Sequence, residues 1–427
     1  MVKNLGTNDE FYFFSGFNEE KKKNDKKPFS NDEKGNHFCK IRKYDKSKRY
    51  DKKRLRIDKR TSLLFYMVIL SILNIYLTLS QNTNELTYSY VLLKVVKGTN
   101  KVYSNLGGNK DRGCYPAFTK PDEIIINRKS VENKPFHTFT EKENIVKLIW
   151  KNKITNCRCM FRDCGHVIEM DFSHFDTSQV TDMFTMFRDC KLLKSLDLSK
   201  FKTSNVEGTI ADMFWDCNSL EYLNISSFDT SKITGMGHMF SGCYSLKSLD
   251  LSNFDTKNVQ LMDYMFDRCY KLTYLNLSNF QTTSVFNISF IFNDCISLEI
   301  VDISNFNTKI VSDMRSIFQN CKSLSYINLS NFITNNVEYM DNMFNGCNNL
   351  NILNLSNFNT AKVKTMENMF KGCSSLTSLD ISNFDTFSIE KQDNLNNIFS
   401  NCENLIYINL YNYKKSCNLF CKYQFKK

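Results

Sequence analysis

Residues 239–259 read MFSGCYSLKSLDLSNFDTKNV, and residues 265–285 read MFDRCYKLTYLNLSNFQTTSV. The second stretch restates the first after 26 residues, column by column. The same frame recurs on both sides, and ten cysteines mark it: Cys164, Cys190, Cys217, Cys243, Cys269, Cys295, Cys321, Cys347, Cys373 and Cys402. Their intervals are 26 residues, except for 27 before Cys217 and 29 before Cys402. Self-similarity at this period marks a stack of coils, each unable to bury its apolar side without a neighbour.

Within one unit, Leu246, Leu249, Leu251 and Phe254 alternate with Ser248, Asp250 and Ser252, the pattern of a short half-buried strand. Equivalent strands one repeat apart are expected to lie parallel and in register, forming one long sheet. The segment that follows, DTKN, offers side chains able to cap a helical turn. Val259, Met262, Met265, Phe266 and Cys269 then recur at steps of three and four, which predicts a short helix opposite the sheet. The expected fold class is therefore an α/β solenoid.

The frame MFxxCxxLxxLDLSNFDTSxVxxM resembles that of the BspA-like leucine-rich repeat surface proteins, in their 26-residue Phe-Cys form. The resemblance covers about Met160 to Tyr413 and roughly ten coils. It implies a leucine-rich repeat solenoid, a surface location and an adhesive or partner-binding role, and it implies no enzyme activity and no cofactor. The second coil departs from the frame by an added residue near Gly208 and the last by KQDNL, so local bulges are expected there.

Outside the array the chain changes character. Residues 1–60 hold 19 Lys/Arg against 10 Asp/Glu, most of the chain's net charge of +11, and their polar, Lys- and Asn-rich composition predicts a disordered cytosolic tail. The array itself is close to neutral, which argues against nucleic acid as its partner. Residues 61–80 include 17 uncharged residues from Leu63 to Leu79, the short limit for a spanning helix and long for a signal-peptide core. Eleven Lys/Arg between residues 41 and 60 place the N-terminus in the cytosol and the repeats across the membrane. The expectation is a single-pass type II protein, with a secreted form as the alternative. Residues 81–156 are expected to be linker and N-terminal cap, 157–413 the repeats, and 414–427 the C-terminal cap.

One thiol per coil gives a line rather than a tetrahedron, so the cysteine ladder is expected to be core packing and neither metal site nor disulfide framework. The leucine-rich repeat resemblance implies cap disulfides, between Cys114 and Cys157 or Cys159, and between Cys417 and Cys421. CRCMFRDCGH also offers Cys157, Cys159, Cys164 and His166 to zinc, at a spacing outside the common patterns. No phosphate loop, nucleophile elbow or zinc helix is present in the sequence.

The outward row of the strands is the candidate binding face. Tyr222, Tyr274, Tyr326 and Tyr407 would supply rigid contact area, and Asp250, Asn276, Asp302 and Asn328, with Ser252 and Ser278, would supply hydrogen bonds. A protein or a glycan suits such a face better than a small metabolite. A solvated face serving only solubility and register is the bland alternative, and an intracellular scaffold is the rival function. The N-x-S sequons at Asn224, Asn276, Asn287, Asn328 and Asn354 follow from an Asn/Ser-rich frame without implying glycans.

Overall fold

A computed structural model describes residues 88–110, 113–389 and 397–409. All of them belong to the unit Thr83–Lys427. The basic tail 1–60, the apolar segment 61–80, the KQDNL insertion, the Cys417–Cys421 pair and the C-terminal cap 414–427 lie outside the described residues.

Val91, Leu93 and Val95 alternate inward along β1 (Ser89–Lys101), and they bury a five-stranded antiparallel sheet against the first coil. The other strands are β2 (Glu123–Ile126), β3 (Lys129–Val131), β4 (Phe136–Trp150) and β5 (Val167–His174), in the order β3-β2-β4-β1-β5. The strand β5 belongs to the first repeat, so this sheet runs directly into the array. Trp150 joins the two cores: its ring meets Phe175 edge-on at 5.1 Å, and its indole N–H donates to the Thr119 carbonyl at 2.8 Å. A disulfide between Cys114 and Cys159 ties the preceding loop to the first coil.

The repeats correct the expected α/β fold class. Among the described residues there is no helix, and the single long sheet is replaced by short parallel pairs. These are β6 (Ser195–Asp197) with β8 (Tyr222–Asn224), β7 (Gly208–Thr209) with β9 (Ile233–Gly235), β10 (Tyr274–Asn276) with β11 (Ile300–Asp302), and β12 (Ser378–Asp380) with β13 (Tyr407–Asn409). Isolated bridges such as Leu261↔Asn287 and Asn287↔Asp313 continue the pairing elsewhere. The sheet is fragmentary because each coil turns back at once: Phe280 N–H already donates to Leu277 O at 2.9 Å, leaving about three extended residues per coil. The added residue near Gly208 does produce a bulge, a register shift between Gly208 and Thr209 in the β7–β9 pair.

The missing helices have a backbone cause. Residues 264 and 268 both have positive φ, 56° and 57°, which an α-helix cannot accommodate. Alternate N–H groups therefore leave the coil. Those of Met262, Tyr264, Phe266 and Arg268 donate to carbonyls of residues 287, 289, 291 and 293 on the next coil, at 2.8 to 3.1 Å. The intervening Met265, Asp267 and Cys269 close tight turns to the carbonyl three residues back. The apolar residues still face inward, but the segment is a ladder between coils.

Inside the stack each column forms its own line. Phe161, Phe187, Phe214, Phe240, Phe266, Phe292, Phe318, Phe344, Phe370 and Phe399 stack ring on ring, with centroids 5.6 to 5.9 Å apart. Beside them the ladder thiols donate backwards, for example from Cys269 Sγ to Phe240 O at 3.3 Å and from Cys295 Sγ to Phe266 O at 3.1 Å. A buried threonine line closes the opposite corner. Thr256 Oγ1 donates to Gln281 O at 3.1 Å and accepts from Gln281 N–H at 2.8 Å, so one hydroxyl satisfies both backbone groups of a residue on the next coil. The same clamp recurs from Thr177 to Thr360, for example Thr282 on residue 307 and Thr334 on residue 359.

Candidate binding surface on the strand row

Strand alternation, with inward Leu at every second position, turns the intervening side chains outward. Tyr222, Tyr274, Tyr326 and Tyr407 are 55%, 52%, 56% and 61% exposed, on the outward row where the sequence placed them. Two further members of the same column went unrecognised in the sequence, Ile300 and Ile352, at 58% and 62% exposure. Tyr274 pairs with Ile300 across β10 and β11, and Tyr326 bridges to Ile352. Four consecutive coils thus carry an uninterrupted outward run of large apolar groups, whereas most soluble surfaces scatter theirs singly. The signal lay in the 26-residue offset from the tyrosines, which a search for aromatic residues alone passes over.

Each polar residue beside this run commits one side-chain oxygen to its own backbone. Asp250 Oδ1 accepts from Ser252 N–H at 3.0 Å, Asn276 Oδ1 from Ser278 N–H at 2.9 Å, Asp302 Oδ1 from Ser304 N–H at 3.0 Å, and Asn328 Oδ1 from Ser330 N–H at 3.1 Å. Each is a local turn that reverses the chain after the strand. Hydrogen bonds from Ser252, its N–H first, hold the Asp250 carboxyl below the usual carboxylate range. These residues shape the row, and Tyr and Ile supply its exposed apolar area. The next column reinforces the frame: Asn253 and Asn357 donate side-chain amides to carbonyls of the preceding coil at 2.7 to 3.1 Å.

The other candidate chemistry resolves differently. Cys159 is committed to the disulfide with Cys114, so Cys157, Cys159, Cys164 and His166 do not form a four-ligand zinc set, and Cys157 is free and buried. Among the described residues no cluster of three His, Cys, Asp or Glu side chains could hold a metal ion. Burial pushes the ladder thiols up, Cys347 to about 12 and the part-buried Cys402 to about 11, which keeps them protonated and unreactive. Among the sequon asparagines, Asn224, Asn276, Asn328 and Asn354 each use the side-chain oxygen to accept the N–H two residues on. Asn287 does the same for Ser289 on the second ladder.

A family model described as "Mycoplasma protein of unknown function, DUF285" matches residues 133–247, 208–327 and 322–421. No curated protein matches the chain. Among solved structures, the chain is similar to a leucine-rich cell surface protein from Faecalibacterium prausnitzii A2-165, with 17% identity over 58% of this chain and 70% of that one and a TM-score of 0.25. It is also similar to a TLR13–ssRNA13 complex, with 19% identity over 56% of this chain and 40% of that one and a TM-score of 0.22.

Proposed function

Because this chain belongs to the DUF285 family, whose description names no activity, we propose a function from the surface its repeats leave open: a non-enzymatic, protein-binding repeat protein. The observation that carries this is the row Tyr274, Ile300, Tyr326 and Ile352, each more than half exposed on a backbone already satisfied by turns and clamps. Aromatic and aliphatic side chains held on a stiff scaffold lose little entropy on contact, the condition under which a few residues dominate an interface. A protein surface fits the run better than a glycan, because its largest exposed groups are the Tyr and Ile side chains.

We read the chain further as a BspA-like adhesive surface protein, held by residues 61–80 with its repeats outside the cell. Supporting this are the 26-residue Phe-Cys interval, the uncharged stretch from Leu63 to Leu79, and a disulfide between Cys114 and Cys159, a bond that persists outside the reducing cytosol. Among the described residues no helix is long and apolar enough to cross a membrane, and residues 61–80 lie outside them.

Two measurements test these statements. Replacing Tyr274 and Tyr326 together with Ala should weaken capture of a protein partner at least about tenfold, as expected for loss of about 1.4 kcal/mol or more at anchor positions. Unchanged capture by a normally folded double variant removes the binding row. Protease added to intact cells should degrade the repeats; repeats shielded until lysis would overturn the surface location.

A further inference from the structure

The outward column has an order that a generic binding face does not need. Coil by coil it reads Glu169, Ser195, Tyr222, Ser248, Tyr274, Ile300, Tyr326, Ile352, Ser378, Tyr407. From Tyr222 to Tyr407 its polarity is the same read backwards: Tyr and Ser at each end of that span, and four apolar residues of alternating shape between them, with Glu169 and Ser195 left outside the symmetric part. We propose that this row is a homotypic interface, on which a second copy of the chain packs face to face about a two-fold axis running along the strands between Ile300 and Tyr326.

A two-fold interface must be complementary to itself. With this axis Ile300 lies on the partner copy's Tyr326 and Tyr274 on its Ile352. Every flat ring of the central four then meets a branched aliphatic group. Outside them Ser248 falls on Ser378, and Tyr222 on Tyr407. An axis along the row would instead set Tyr on Tyr and Ile on Ile.

The neighbouring columns agree in the centre. Asp302 meets Asn328 and Glu299 meets Ser325, so no like charges face each other among the four central coils. One repulsive meeting remains further out, Asp250 against Asp380. It makes a separate demand: Asp250→Asn should tighten the association, and salt should tighten it in the unaltered protein.

The inference rests on the binding row described above and names its partner. Its test is sedimentation equilibrium of the full chain with a nonionic detergent present. The unaltered protein is expected to dimerise. Ile300→Lys and Tyr326→Glu should each associate at least tenfold more weakly, while retaining the circular dichroism and thiol shielding of the folded chain. An equimolar mixture of the two should recover association, because residue 300 of one copy faces residue 326 of the other. A mixture of Ile300→Lys with Ile300→Glu should not.

Recovery in that second mixture, or a monomeric unaltered protein at every concentration reached, overturns the proposal. If the protein is monomeric while the Tyr274/Tyr326 double variant still loses capture of another protein, the homotypic interface fails and the protein-binding function stands. If capture is also unaffected, both fall.

Discussion

At the scale of single residues, the stack depends on groups that serve the next coil. Gly242 has φ +73°, and a Cβ there would meet Asp216 Oδ1 at 2.1 Å. Gly208 has a similar φ of +77°, with nothing within 4 Å. Gly242→Ala therefore adds a clash to the conformational strain and should destabilise by about 2 to 4 kcal/mol, whereas Gly208→Ala should cost only the strain, about 1 kcal/mol. The midpoints of chemical denaturation of the two variants check the difference. Thr256→Val is a sharper probe. It leaves the Gln281 N–H and carbonyl without the clamp, at about 1 to 3 kcal/mol for each group left unsatisfied, and amide exchange at Gln281 should accelerate. Thr256→Ser, which keeps the hydroxyl, should exchange nearly as slowly as the unaltered chain.

At the scale of elements, the decisive unit is the segment around Met265 and Phe266, where periodicity and backbone conformation disagree. Apolar residues at steps of three and four are legible as a helix face, but the same steps suit a tight turn that repeats in register with its neighbours. The distinguishing signal is the column Asp163, Asp189, Asp216, Gly242, Arg268, Asp294, Asn320, Gly346, Gly372 and Asn401, rich in the residues that tolerate positive φ. One such residue at the end of each segment reads as a helix stop. Its partner four residues earlier has a weaker signature: Asp212, His238, Asn342, Asn368 and Asn397 suit positive φ, but Thr185, Tyr264 and Phe290 do not, and contacts between coils impose the conformation there. A short strand in each unit was legible, but its three-residue length and the fragmentation into pairs were not, since both depend on how soon each coil turns. Phe266→Ala should cost about 3 to 5 kcal/mol, as for other buried aromatic truncations. Because coils touch only their neighbours, exchange protection should fall first around Phe240 and Phe292, which stack on either side of the gap.

At the scale of the whole molecule, the thiol line makes stability depend on alkali. Burial raises each ladder thiol above its ordinary value of 9.0, to about 12 at Cys347 and about 11 at Cys402. Above pH 9 the unfolded chain releases these protons and the folded chain keeps them, so the unfolded state binds fewer protons and stability falls as pH rises. The contribution is complete below about pH 9 and is lost as pH climbs through the folded-state values. Denaturation midpoints should thus be level from pH 7 to about 8.5 and decline steeply beyond. A flat profile to pH 11 would show that the thiols are not shielded as described. The binding row was half legible at this scale: its tyrosines stand out by type, while Ile300 and Ile352 look like core residues until the register places them outside. The threonine clamp carries one more consequence, for the gene. Since each hydroxyl from Thr177 to Thr360 engages only the main chain of the coil beside it, the clamp at these units would suit any neighbour of the same frame. Unequal crossover between the coding segments could delete or duplicate one 26-residue module and keep the threonine clamp at both new junctions, so chains shorter or longer by whole units are expected to fold.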